Sequence, residues 1–246
     1  IGLSFYTFRN LSYLFDIYLS KVSAQRNFLT FSVYSTMFPY TSAGPIVRYT
    51  DIETQLKQRT INIFKFGIGA ELFVKGLAKK VLLADNLSVL YSSICGHPQM
   101  SVFTSWLGIL AYTMQLYFDF SGYSDMAIGL GKMLGFDFNK NFDYPYISTS
   151  VSEFWRRWHI SLGSWFRDYI YIPLGGNRVS TLKHIRNILV VWALTGLWHG
   201  ASWNFVLWGV YYGLFLLLEK FVLQKYLKKI PSWLCTVYTL SLIHIS

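Results

Sequence analysis

Charged side chains are absent from three long windows of the chain, Phe28 to Val47, Ser88 to Phe118 and Asn187 to Leu218. Each is at least as long as a membrane-spanning helix, which needs roughly 20 apolar residues to cross the hydrocarbon core. Shorter apolar stretches run from Ile1 to Phe15 and from Ile230 to Ile245. The connections RYTDIETQLKQRT (48 to 60), FDFNKNFDYPY (136 to 146) and GGNRVSTLKHIR (175 to 186) are polar and belong at a water interface. A GHPQ turn divides the middle window. The pattern predicts an all-α, polytopic membrane protein without internal repeats, organised as one domain over residues 1–246.

The third window is 32 residues long, more than one spanning helix requires and less than two. It must break, and HGASWN (199 to 204) lies near its midpoint. Gly200, Ala201, Ser202 and Asn204 suit a bend or re-entrant turn, which membrane depth tolerates only where protein or a water-filled cavity surrounds it. Gly196 with Gly200, and Gly209 with Gly213, have the small-xxx-small spacing that lets helices approach closely. His199 stands at this break. An ionisable group in an apolar span tends to face a polar path or perform a task, and imidazole suits proton transfer near neutral pH. A hydrogen bond to a neighbouring helix is the structural alternative.

A different periodicity governs STSVSEFWRRWHISLGSWFRDYIYIPLGGNR (148 to 178). Ser150 and Glu153 have capping-box spacing. Continued as one helix, the segment brings Trp155, Trp158, His159, Leu162, Trp165, Phe166 and Tyr169 into an arc of about 120°. Glu153, Arg156, Arg157, Ser164, Arg167 and Asp168 fall opposite. This is an amphipathic helix at the membrane interface. His159 is its apolar-face exception, and taken alone it reads first as a satisfied core residue.

Composition agrees with a membrane protein: 53% of residues are hydrophobic, 19% aromatic and 14% charged. The net charge of +10, from 22 Lys and Arg against 12 Asp and Glu, fits loops facing cytoplasm and anionic lipid. Nucleic acid is not an expected partner, because the aromatics lie in lipid-length segments and not on a basic soluble face. Cys95 and Cys235 form no CxxC motif, and no Cys/His set has metal-ligand spacing, so no metal is expected. GLGKMLG (129 to 135) does not match a dinucleotide cradle, and no GxSxG elbow is present. IPLGGNR reads as an interfacial turn ahead of an anion site. Asp119 and Asp125 read as helix-end or inter-helix hydrogen-bonding groups ahead of catalytic ones. The ends, IGLSFYTF and LSLIHIS, are abrupt, and the chain is expected to be a fragment whose residues 242–246 are foreign.

Four stretches in order, MFPYTSAGPIVRY, QLYFDFSGYSDMAIGLGKMLGF, NFDYPYISTSVSEFWRRWHISLGSWFRDYIYIPLGGNR and LTGLWHGASWNFVLWG, resemble the membrane-bound O-acyltransferase (MBOAT) family. YIPLGGNR after the WRRWH segment resembles the bacterial branch that acetylates exported polysaccharides such as alginate. D-alanine transfer to teichoic acid is the alternative within the family, and a channel or transporter the alternative outside it. The resemblance implies a ring of transmembrane helices with interfacial and re-entrant helices around a catalytic tunnel, in the bacterial inner membrane. It implies that His199 is the catalytic histidine and His159 a second active-site histidine. It further implies acetyl-coenzyme A or another acyl thioester as donor, no permanently bound cofactor, a polysaccharide acceptor, and exported or membrane-anchored acetyltransferases as partner proteins. Asn204 departs from the His-x4-Asp pair of soluble glycerolipid acyltransferases, so that chemistry is not implied.

Overall fold

The computed structural model describes residues 3–41, 43–97 and 99–245. The GHPQ turn therefore falls partly outside the described residues, at residue 98, as do the first two positions of the N-terminal apolar stretch and the end of the 242–246 segment. Among the described residues every regular element is helical, in agreement with the all-α expectation. The chain divides into two compact units, residues 1–141 and 142–246.

The first unit contains α1 (Leu3–Tyr18), α2 (Phe28–Thr36), α3 (Tyr49–Lys57), α4 (Ile63–Ala78), α5 (Asp85–Cys95) and α6 (Val102–Met133). The window from Phe28 to Val47 does not form one long helix. After α2 the chain tightens into a 3-10 turn at Phe38–Tyr40, because Pro39 lacks the amide that a continuing α-helix would need. Ser101 caps α6, its hydroxyl accepting from the Thr104 amide at 3.1 Å, and α6 then runs unbroken past Asp119 and Asp125. Antiparallel α4 packs on it through glycines: a Cβ at Gly69 would lie 2.6 Å from the Gly129 carbonyl oxygen, and one at Gly76 would lie 2.5 Å from that of Gly122. Gly129 of GLGKMLG thus serves helix contact, while Gly131 lies against the Phe138 ring and Gly135 turns the chain at φ 86. A π turn at Lys79–Ala84 joins α4 to α5 and presents Lys79 to Asp125 at 2.6 Å and Lys80 to Asp119 at 2.8 Å. Of the two bonding roles expected for these aspartates, helix-end and inter-helix, the structure shows the second.

Away from α6, the first unit is built on tyrosine. Tyr13, Tyr34, Tyr40 and Tyr49 are buried together, and their hydroxyls are used: Tyr34 donates to the Arg9 carbonyl and Tyr40 to that of Tyr34, each at 3.0 Å. The buried Arg9 guanidinium lies 4.5 Å from the centre of the Tyr40 ring.

The second unit contains α7 (Val151–Arg157), α8 (Ile160–Phe166), α9 (Thr181–His199), α10 (Trp203–Leu218), α11 (Gln224–Leu227) and α12 (Ser232–Ile245). Helix α10 continues through a π turn at Glu219–Leu223 into α11. Among the described residues this run, Trp203–Leu227, is the one helix long and apolar enough to cross a membrane. The break in the 32-residue window falls at Gly200–Ser202, inside HGASWN. Helices α9 and α10 fold back on each other there, with Gly196 and Gly209 buried at their closest approach.

Candidate active site

Both predicted histidines lie in the second unit, and the local chain explains their placement. Ser150 caps α7, its hydroxyl accepting from the Glu153 amide at 3.0 Å. The return half of the capping box is shifted by one residue, since Glu153 accepts from the amide and hydroxyl of Thr149, both at 2.9 Å. Glu153 also receives the Arg157 guanidinium, whose Nε lies at 2.9 Å. Another Arg157 nitrogen donates to the Asp143 carbonyl at 3.0 Å. Arg157 therefore fastens α7 to the segment that precedes it.

The expected continuous helix from Ser150 to Tyr169 is broken at His159. That residue adopts left-handed backbone angles, φ 46 and ψ 54, a conformation that costs a non-glycine residue about 1–2 kcal/mol. Its carbonyl accepts from the amides of Leu162 and Gly163 and begins α8. The aromatic residues ahead of the break pack on different partners. Trp155 packs on Trp192 and Tyr212, at 5.0 and 4.8 Å between ring centres. Trp158 instead packs on Phe142 and Phe154, at 5.0 and 5.6 Å. Beyond the break, Leu162, Trp165, Phe166 and Tyr169 are buried as the periodicity predicted; Arg156 before it and Arg167 after it are exposed.

His159 is buried, and its Nδ1 faces the Ser161 hydroxyl at 3.4 Å. Burial, reinforced by His199, holds its imidazole far below the ordinary value, so it is neutral at physiological pH. His199 ends α9 and is exposed. Its ring meets Trp208 at 5.0 Å and Trp198 at 4.7 Å. The Trp198 ring is also 6.0 Å from His159. The two histidines, 40 positions apart in sequence, thus flank one indole. A buried neutral imidazole beside an accessible one can divide the work of acid–base chemistry, one holding a reactant and the other exchanging a proton.

Several residues that sequence reasoning did not single out support this arrangement. Glu219 is buried and accepts from the amides of Val151 (2.6 Å) and Ser152 (2.9 Å) and from the Ser152 hydroxyl (2.8 Å). The next residue, Lys220, lies 3.1 Å from Nε2 of His184, which the Tyr171 hydroxyl also approaches at 3.0 Å. Asn187 is fully buried and donates to the carbonyls of Leu174 and Gly176, at 3.0 and 3.1 Å. IPLGGNR is thereby fixed as a turn, with Gly175 and Gly176 at φ 98 and 56. The sequence signal for Glu219 and Lys220 was available: they are charges within an otherwise apolar helical run, where ionisable groups carry a task by default.

Among the described residues all regular structure is helical, and an ionisable side chain, His199, stands at the break in the membrane-length segment. Residues 3–233 match the model of the MBOAT, membrane-bound O-acyltransferase family, and the chain belongs to that family. It is 49% identical over 220 residues to the probable alginate O-acetylase AlgI of Azotobacter vinelandii, covering 89% of this chain and 44% of that protein. It is 34% identical to the peptidoglycan O-acetyltransferase of Helicobacter pylori, covering 96% of this chain and 51% of that one. Identity to the teichoic acid D-alanyltransferase of Bacillus subtilis is 26%, covering 95% of this chain and 62% of that protein. The chain spans about half the length of these relatives.

Proposed function

We propose that the chain carries the acyl-transfer centre of a multi-pass bacterial inner-membrane O-acyltransferase that acetylates an exported polysaccharide such as alginate. The donor is acetyl-coenzyme A or another acyl thioester, taken as a substrate. The observation that carries this reading is the convergence of His159 and His199 on Trp198 beside the Gly200–Ser202 break. The higher identity to alginate O-acetylases than to D-alanyltransferases favours an acetyl group over D-alanine.

In this reading neutral His199 removes the proton from an acceptor hydroxyl as its oxygen attacks the thioester carbonyl carbon. The carbonyl becomes a tetrahedral oxyanion, to which His159 donates a hydrogen bond. Collapse breaks the carbon–sulfur bond, releases the ester, and sends the proton from His199 to the departing thiolate. An apolar, aromatic surround limits water and hence hydrolysis of the thioester. The ring of helices around a tunnel belongs to the same proposal, as do the lipid bilayer and the exported or membrane-anchored acetyltransferases that would accept acetyl groups from this centre.

The test compares ester-linked acetate on exported polysaccharide in the protein's own host, wild type against His199→Ala at matched membrane abundance. Loss of acetate with the protein present is the expected result. Unchanged acetate would sink the assignment of His199, and D-alanine esters assayed on the same envelopes separate a wrong residue from a wrong acyl group.

A further inference from the structure

Helix α7 is only seven residues long, too short to hold its own conformation without tertiary anchors, since helices below about 12 residues are marginal in isolation. Its last residue is two positions before His159, so whatever fixes α7 also fixes the imidazole. One anchor comes from far along the chain. Glu219 brings a buried carboxylate to the first two amides of α7 and to the Ser152 hydroxyl. The helix that carries it begins at the break after His199 and holds Trp208 against that histidine's ring. Lys220 ties the same π turn to His184 in α9, the helix that ends in His199.

We infer that Glu219 is a positioning residue for the two-histidine centre, holding α7 so that His159 stays registered beside Trp198 and His199. The left-handed backbone at His159 makes such an anchor necessary, because a residue in a sparsely populated conformation persists only while its surroundings over-determine it. Without the carboxylate, α7 frays from its start and the His159 backbone relaxes. The imidazole then leaves the Trp198 ring, although no reacting atom has been removed. The inference rests on the reading of His159 and His199 as the transfer centre.

The test uses the full-length protein in detergent or nanodiscs, with acetyl-coenzyme A as the donor probe. E219A removes every acceptor, while the near-isosteric E219Q keeps one oxygen and guards against a variant that fails to fold. Three readouts are taken: deuterium uptake across residues 151–159, the rate at which diethylpyrocarbonate modifies His159, and steady-state kinetics. In E219Q, uptake should rise in that segment alone and His159 should react at least about tenfold faster. Its kcat should fall by about tenfold or more with the KM for acetyl-coenzyme A changed by less than about threefold, a pattern expected when transition-state geometry is lost and binding is kept. E219A should show the same pattern more strongly wherever it folds. Normal His159 reactivity in E219Q would overturn the inference, whatever the kinetics. Faster His159 modification, in a protein whose wild type turns over no acetyl-coenzyme A, would uphold the anchor and reject the proposed function.

Discussion

Gly196 of α9 and Gly209 of α10 face each other across the hairpin so closely that a Cβ on Gly209 would lie 3.1 Å from the Cα of Gly196. Such a Cβ would also meet the Trp192 carbonyl, and one on Gly196 the carbonyl of Phe205. The obstacles are backbone atoms, which cannot rotate aside. Gly209→Val is therefore expected to destabilise the protein by about 1–3 kcal/mol or more, the range for overpacking a tight contact. Lowered melting temperature and membrane abundance would register it; Gly67→Ala, with nothing within 4 Å of its added Cβ, is the matched control.

His159 carries two separable demands, a left-handed backbone and an imidazole. Asparagine tolerates the first and lacks the second. His159→Asn should keep membrane abundance close to wild type and lower the proposed acetyl transfer by about 10²-fold or more, the usual cost of removing a hydrogen-bond donor to the oxyanion. Equal loss of abundance and activity would show that the residue acts only in folding.

Burial and the Lys220 ammonium lower the basicity of His184, and burial does the same for His159. Each binds a proton less readily in the folded chain than at the unfolded value of 6.5. The unfolded state therefore holds more protons below that pH. Stability should be complete above pH 6.5 and decline as pH falls toward the folded values. Thermal melts between about pH 8 and 5 should show this decline, and His184→Asn should make it shallower without abolishing it, because His159 contributes with the same sign.

Asn187 satisfies two carbonyls of the IPLGGNR turn from a fully buried position. Asn187→Leu keeps most of the volume and leaves both acceptors without that donor. A loss of about 1–3 kcal/mol for each orphaned group is the upper scale of the effect. Faster proteolysis at residues 172–178, ahead of any change near His199, is the expected sign.

Much of the second unit was legible in the chain. The length of the window from Asn187 to Leu218 forced a break, and the glycines and Ser202 located it, because a helix interior disfavours them where a turn does not. Helical spacing placed His159 among buried aromatics. It could not reveal that the helix stops at that residue, since no glycine or proline marks the site. The partners of the aromatic residues ahead of it, Trp192 and Tyr212 for Trp155 and Phe142 for Trp158, come from α9, α10 and the segment before α7, so they too are visible only in the folded chain. The partnership of Glu219 with Val151 spans 68 positions, and no local pattern encodes it. In the first unit the charge-free Phe28–Val47 window misled about length, because Pro39 outweighs apolar content.

Trp208 and Glu219 lie about three full turns apart on one continuous helix, so they project from nearly the same side of it. One meets His199 and the other holds the start of α7. The number of residues between them is therefore a constrained quantity in its own right. Inserting a single alanine between Leu214 and Phe215 would swing Glu219 by about 100° around the axis and point it away from Val151, whereas exchanging one outward-facing leucine for another apolar residue would leave the spacing intact. This segment should therefore accept exchanges among its outward-facing apolar side chains and fail on a change of length.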